Sequence, residues 1–171
     1  MVKLPPNLME RLPAKFKLLN FSKKNLKIKD LCSISKFPRI YEMILNKDEQ
    51  VEIDLEFNFV SNRVPTLKGN LRFNIVIECQ RCLKPLKLTL CSDISFAFIE
   101  SDEDASLIDS SFELINDFNK EIDSYEFLTD EMLLMIPMIP KHNHQCKKIE
   151  NDYVTNSNPF SILKNLKKEH R

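Results

Sequence analysis

Two cysteines, Cys79 and Cys82, lie at Cys-x-x-Cys spacing in the stretch "ECQRC", residues 78–82. Thiols at this spacing can chelate a metal, run thiol–disulfide chemistry, or fill a core. One such pair supplies half of a tetrahedral site. The only other clustered ligand types are His142, His144 and Cys146 in "HNHQC". Together the two segments form a candidate zinc set, Cys79 and Cys82 with His142 or His144 and Cys146. It would pin the later segment to the earlier one. The alternative is that both early cysteines are reduced, Cys79 facing a core and Cys82 lying in a turn. A thioredoxin-like role fits less well, because that motif belongs at a helix N-terminus in a βαβ unit.

Other chemistry lacks its parts. The histidines are His142, His144 and His170, all in polar C-terminal segments. A nucleophile–histidine site needs a rigidly placed base. Gly69 is the single glycine, so glycine-rich phosphate loops and dinucleotide turns are excluded. A metal-dependent nuclease needs converging rigid carboxylates. Here the acids gather in a segment that reads as loop. The chain is therefore read as a binding protein and not an enzyme, with no nucleotide.

The elements that must position the thiols can be read from periodicity. "VEIDLEFNF" (51–59) alternates strictly, with Val51, Ile53, Leu55, Phe57 and Phe59 on one face. "LRFNIVIEC" (71–79) alternates again, with Leu71, Phe73, Ile75, Ile77 and Cys79 inward. Two such runs predict an antiparallel hairpin. Its turn is expected in 61–70, with Pro65 and Gly69 as turn residues. Leu86, Leu88, Leu90, Ile94, Phe96 and Phe98 continue in phase, as a third strand or a third and fourth. "ECQRCLKP" thus occupies a tip between strands, where Pro85 helps close the turn. Arg81, Lys84 and Lys87, with Arg72 on the preceding strand, make a charged tip suited to phosphate. The plain alternative is solubilising charge.

Residues 1–20 read as a loose basic arm. Residues 25–44 are compatible with a strand and with a short helix. The acidic stretch 100–111 reads as a mobile loop, and 112–115 as a short edge strand. Residues 123–136 predict a helix capped by Asp123 or Ser124, with Tyr125, Leu128, Met132, Met135 and Ile136 along one stripe. Pro137 and Pro140 stop it. "NPFSILKNLKK" (158–168) predicts a closing amphipathic helix capped by Asn158. The expected fold is a single α+β domain: an antiparallel sheet able to curl toward a barrel, with packed helices. Residues 1–48 form the basic arm and first elements, and 49–168 the main unit.

Formal net charge is zero, but unevenly spread. Residues 1–48 carry 11 Lys/Arg against 4 Asp/Glu, and residues 99–131 carry 1 against 12. Basic segments can meet phosphate, and acidic ones repel it or bind basic proteins. The two can equally attract each other. No apolar run nears the roughly 20 residues a membrane span needs. The N-terminus lacks a secretory core, and five cysteines is an odd number, so a reducing, cytoplasmic setting is expected.

The chain resembles the YceD family of large-ribosomal-RNA accumulation proteins. Three motifs carry the resemblance, in order: "IECQRCLKPL", "LTDEMLLMIPMIPKH" and "NPFSILKNLKK". They span roughly residues 50–168. The resemblance implies a non-catalytic factor supporting synthesis, processing or stability of 23S rRNA and large-subunit assembly. Cys79, Arg81, Cys82 and Pro85 match the family's tip, and Glu131 and Pro137 its helix motif. The implied partner is 23S rRNA or its precursor, a large-subunit ribosomal protein, or both. An alternative is an acidic-loop chaperone for a basic ribosomal protein without direct RNA contact. Many family members carry a second Cys-rich knuckle where this chain has only "HNHQC".

Overall fold

The computed structural model describes residues 11–116 and 121–146. The strands are β1 (Lys15–Phe16), β2 (Lys27–Ser33), β3 (Gln50–Val60), β4 (Val64–Glu78), β5 (Pro85–Phe98), β6 (Glu113–Ile115) and β7 (Ile122–Asp123). The helices are α1 (Leu18–Lys23), α2 (Pro38–Met43), α3 (Asp102–Ala105) and α4 (Ser124–Met135), with a 3-10 turn at Ile34–Lys36. Five strands form one sheet in the order β2-β3-β4-β5-β6, and β1 pairs with β7. Every pairing is antiparallel except β5 with β6. The fold is α+β as expected, and among the described residues the sheet stays open, without closing into a barrel.

Alternation in sequence becomes alternation in burial. On β3, Val51, Ile53, Leu55 and Phe57 are buried, while Glu52 and Asp54 face solvent. On β4, Leu71, Phe73, Ile75 and Ile77 are buried between exposed Arg72, Asn74 and Glu78. Removing such side chains from water supplies the main drive for folding. Residues from the helices join the same core: Leu18 of α1, Ile40 of α2, and Leu128 and Met132 of α4. Phe127 stacks edge-on against Phe16 and Phe96, at 6.1 and 5.1 Å between centroids. Asp123 caps α4, accepting from the amides of Tyr125 and Glu126.

Three expectations need correction. The β3–β4 turn is only Ser61–Arg63, not 61–70, and Pro65 and Gly69 lie inside β4. Ser61 and Asn62 supply the positive φ the turn requires, at 51° and 54°. Gly69 answers a close approach instead. It pairs with Leu55, and a Cβ there would stand 2.4 Å from the Asp54 carbonyl oxygen. Residues 11–20 are not a loose arm: Leu12, Phe16 and Leu18 are buried, and β1 is held by β7. The acidic stretch is not simply a mobile loop either. Ser101 and Asp104 form a capping box at α3, and buried Asp104 lies 2.7 Å from Arg63 Nε. Residues 85–98 make one continuous strand. The predicted helix at 158–168 lies outside the described residues.

Candidate functional site

The β4–β5 hairpin ends in a tight turn over residues 79–84. Its backbone closes twice: Leu83 N–H donates to Cys79 O at 2.9 Å, and Cys79 N–H to Lys84 O at 3.0 Å. Glu78 pairs with Pro85 as the last rung, so Pro85 opens β5. Leu83 holds φ at 59°, a left-handed conformation that costs a branched side chain about 1–2 kcal/mol. The turn therefore keeps a strained residue immediately after its second cysteine.

Pro137 and Pro140 end α4 and send the chain back across this turn. Gln80 N–H donates to Pro140 O at 2.8 Å, and an Arg81 guanidinium nitrogen donates to His144 O at 3.1 Å. These contacts bring four ligand-type atoms together, those of Cys79, Cys82, His142 and Cys146. All lie within 4.8 Å of one another. Cys79 Sγ is 3.8 Å from Cys146 Sγ, and Cys82 Sγ is 3.5 Å from His142 Nδ1. The opposite ring nitrogen, His142 Nε2, is 3.2 Å from Pro85 O. A carbonyl only accepts, so Nε2 carries the proton and Nδ1 offers its lone pair to the thiols.

Local electrostatics differ among the thiols. Burial alone would raise the Cys79 thiol. Hydrogen bonds from the backbone amides of Arg81, Cys82 and His142, and from Cys82, outweigh it and lower it to about 5. Burial pushes the Cys146 thiol up, with Cys82 and Cys79 acting in the same direction. Cys32 lies elsewhere, inside the core, where burial pushes it to about 11. Cys91 is exposed on β5.

The residues singled out from sequence are thus sorted by the fold. Cys79, Cys82, His142 and Cys146 converge. His144 stands beside them, its ring 5.0 Å from that of His142, but it contributes its carbonyl to Arg81 and is outside the four-atom cluster. Arg81 is half-buried, and Lys84 and Lys87 are exposed. Arg72 shares the outer sheet face with Lys87 but lies farther down: it pairs with Cys91, whereas Lys87 pairs with Val76. Four residues along a strand is about 13 Å, so Arg72 is not part of the tip. Glu131 and Pro137 serve α4 and its end. Burial raises the Glu131 carboxyl, with Glu113 and Asp130 adding to it. Sequence reasoning missed the Pro85 carbonyl, which orients His142, and the contact of Arg81 with His144.

The uneven charge also finds its own partners. Lys15 and Lys17 approach Glu121 at 3.3 and 3.4 Å, and Arg39 pairs with Asp130. Basic N-terminal residues thus meet acids of the 99–131 segment. Lys27–Glu56 and Lys29–Asp54 alternate signs across the outer face of the sheet.

Fold and site define a class: a small α+β protein with an open sheet and a thiol–imidazole cluster clasping one hairpin tip. The chain belongs to the YceD family, described as "Large ribosomal RNA subunit accumulation protein YceD", which matches residues 67–167. It is similar to the Large ribosomal RNA subunit accumulation protein YceD of Haemophilus influenzae. The two are 27% identical over 143 residues, covering 77% of this chain and 82% of that protein. No solved structure matches. Among the described residues, no helix is long and apolar enough to cross a membrane.

Proposed function

We propose that this protein is a non-catalytic factor supporting the synthesis, processing or stability of 23S rRNA, and hence assembly of the large ribosomal subunit. Membership of the YceD family carries the reading. Contact with the partner runs through the hairpin tip, where Arg81, Lys84 and Lys87 stand on backbone held at both ends. Rigid presentation favours the tip, since a partner then spends little free energy ordering it. The acidic segment is a weaker candidate for the contact. Asp104 is buried beside Arg63, Glu121 meets two lysines, and Asp130 meets Arg39.

Depletion of the protein is expected to lower mature 23S rRNA relative to 16S rRNA, and an unchanged ratio would overturn the reading. For the contact itself, Arg81→Ala with Lys84→Ala should weaken binding to large-subunit precursor RNA. Losing charge-assisted contacts costs about 1.5–3 kcal/mol, roughly tenfold to a hundredfold in affinity. Lys84→Ala alone leaves the Arg81 bond to His144 intact and so separates contact from tip folding. Asp102→Lys with Glu103→Lys should be tolerated, since both are exposed and buried Asp104 is left in place. If that reversal instead abolishes binding to large-subunit ribosomal proteins and lowers 23S rRNA while the tip changes leave RNA binding and 23S rRNA unchanged, the acidic segment binds a basic ribosomal protein and the tip reading falls.

A further inference from the structure

We propose that Cys79, Cys82, His142 and Cys146 bind one zinc ion, and that this ion is what fastens residues 137–146 to the hairpin tip. Zinc with thiolates at about 2.3 Å and imidazole at about 2.0–2.1 Å gives tetrahedron edges of roughly 3.8 Å between sulfurs and roughly 3.5 Å from sulfur to nitrogen. The observed separations are 3.8 Å for Cys79 to Cys146 and 3.5 Å for Cys82 to His142. The imidazole is already in the tautomer a ligand needs. Its Nε2–H is directed at Pro85 O, leaving Nδ1 to the metal, the usual way a ligating histidine is oriented.

The turn is built for a bound sulfur as well. Cys79 is fully buried there, its backbone fixed on both sides by the Leu83 N–H to Cys79 O and Cys79 N–H to Lys84 O bonds. Leu83, the residue after Cys82, holds a left-handed φ of 59°. Such strain persists only where surrounding structure over-determines it. A metal shared between the turn and the returning segment would do so.

Other uses of the cluster fit less well. Cys79 and Cys146 stand far beyond the ~2.05 Å of a disulfide bond. A disulfide would in any case leave a third thiol and an oriented imidazole without a role. Apolar packing does not account for the segment either: its own Met138 and Ile139 are 99% and 69% exposed. The cluster contains three sulfurs, one nitrogen and no carboxylate. That set suits zinc and not calcium or magnesium, which take oxygen ligands. Four protein ligands close the coordination sphere, which makes the site structural and not catalytic.

The ion would be present whichever partner the tip meets, so metal content is tested apart from rRNA. Full-length protein purified without chelator should carry about one zinc per chain by elemental analysis. Stripped protein titrated with Co²⁺ alone should show the intense visible bands and thiolate-to-cobalt charge transfer of a tetrahedral thiolate site. His142→Ala should change that spectrum, and Cys82→Ser should remove most of the metal. Cys91→Ser, on the exposed sheet face, should keep both. Chelation of the wild-type protein should speed amide exchange at 137–146 while β3, β4 and β5 stay protected, a readout that does not depend on any variant folding. A metal-free preparation that gives no tetrahedral cobalt spectrum overturns the proposal. So does a His142→Ala spectrum identical to wild type, or a chelated protein in which 137–146 remains protected.

Discussion

The centre of the sheet and the tip of the β4–β5 hairpin are held by different forces, although one pair of strands runs through both. At the centre, Leu55, Phe57, Leu67 and Leu71 are fully buried, and Phe57 meets Phe16 and Phe21 edge-on at 5.3 and 5.2 Å. At the tip, Cys82, His142 and Cys146 are only half-buried, and the contacts are a few directional ones between sulfur, nitrogen and backbone. Apolar burial is cumulative and tolerant of angle. Directional contacts are few, so losing one loosens the whole set. The tip should therefore open without the sheet, whereas damage to the sheet should reach the tip.

Breaking the centre gives the largest effect. Phe57→Ala removes a fully buried ring and should cost about 3–5 kcal/mol, read from urea unfolding. Amide exchange should accelerate in every strand of the sheet. Faster exchange confined to β3 would mean the sheet is not one cooperative unit.

Gly69→Ala tests the same region through backbone and not side chain. The added methyl would meet the Asp54 carbonyl oxygen at 2.4 Å and Leu55 Cδ2 at 2.6 Å. The strands must separate, at a cost of roughly 1–3 kcal/mol. A neutral result in thermal denaturation would show that β3 and β4 can shift freely here.

The smallest change sharpens the comparison from the other side. Leu83→Gly relieves a left-handed φ of 59° but adds freedom to the unfolded chain. The net expectation is a gain of about 0.5–1 kcal/mol. It should appear as slower exchange at residues 79–84 and 137–146, with β3 unchanged. A loss of protection at the tip would show that the Leu83 side chain, and not its backbone angle, is what matters there.

Much of this was legible in sequence wherever one physical pattern ruled. Strict period-two alternation on β3 and β4 translates directly into a half-buried sheet, and Asp123 before an apolar stripe into a capped helix. The cysteine pair marked the tip for the same reason, since it fell between two alternating runs. The failures came where two rules competed. Proline and glycine usually mark turns, but Gly69 sits mid-strand to let a neighbouring backbone approach, and Asn62 with Ser61 makes the turn. Dense acids usually mean loop, but Ser101 and Asp104 cap a helix within them. Phe16 and Leu18 lack a readable period, because their partners lie far away in the chain: β7 and α4 for Phe16, and β3 and β4 for the helix that carries Leu18. The choice of His142 over His144 was equally hidden, because a carbonyl contributed by Pro85 makes it.

The contacts that complete the clasp join residues 60 and 67 positions apart, Cys82 with His142 and Cys79 with Cys146. Synthesis is directional, and the N-terminal part of a chain can fold before the rest exists. Strands β2 to β5 are all made before residue 99, so most of the sheet can assemble while half of the cluster is still untranslated. The clasp can shut only after Cys146 has emerged. Its closure therefore follows the assembly of the sheet in time, and a chain halted between residues 99 and 141 would carry a folded sheet with an open tip.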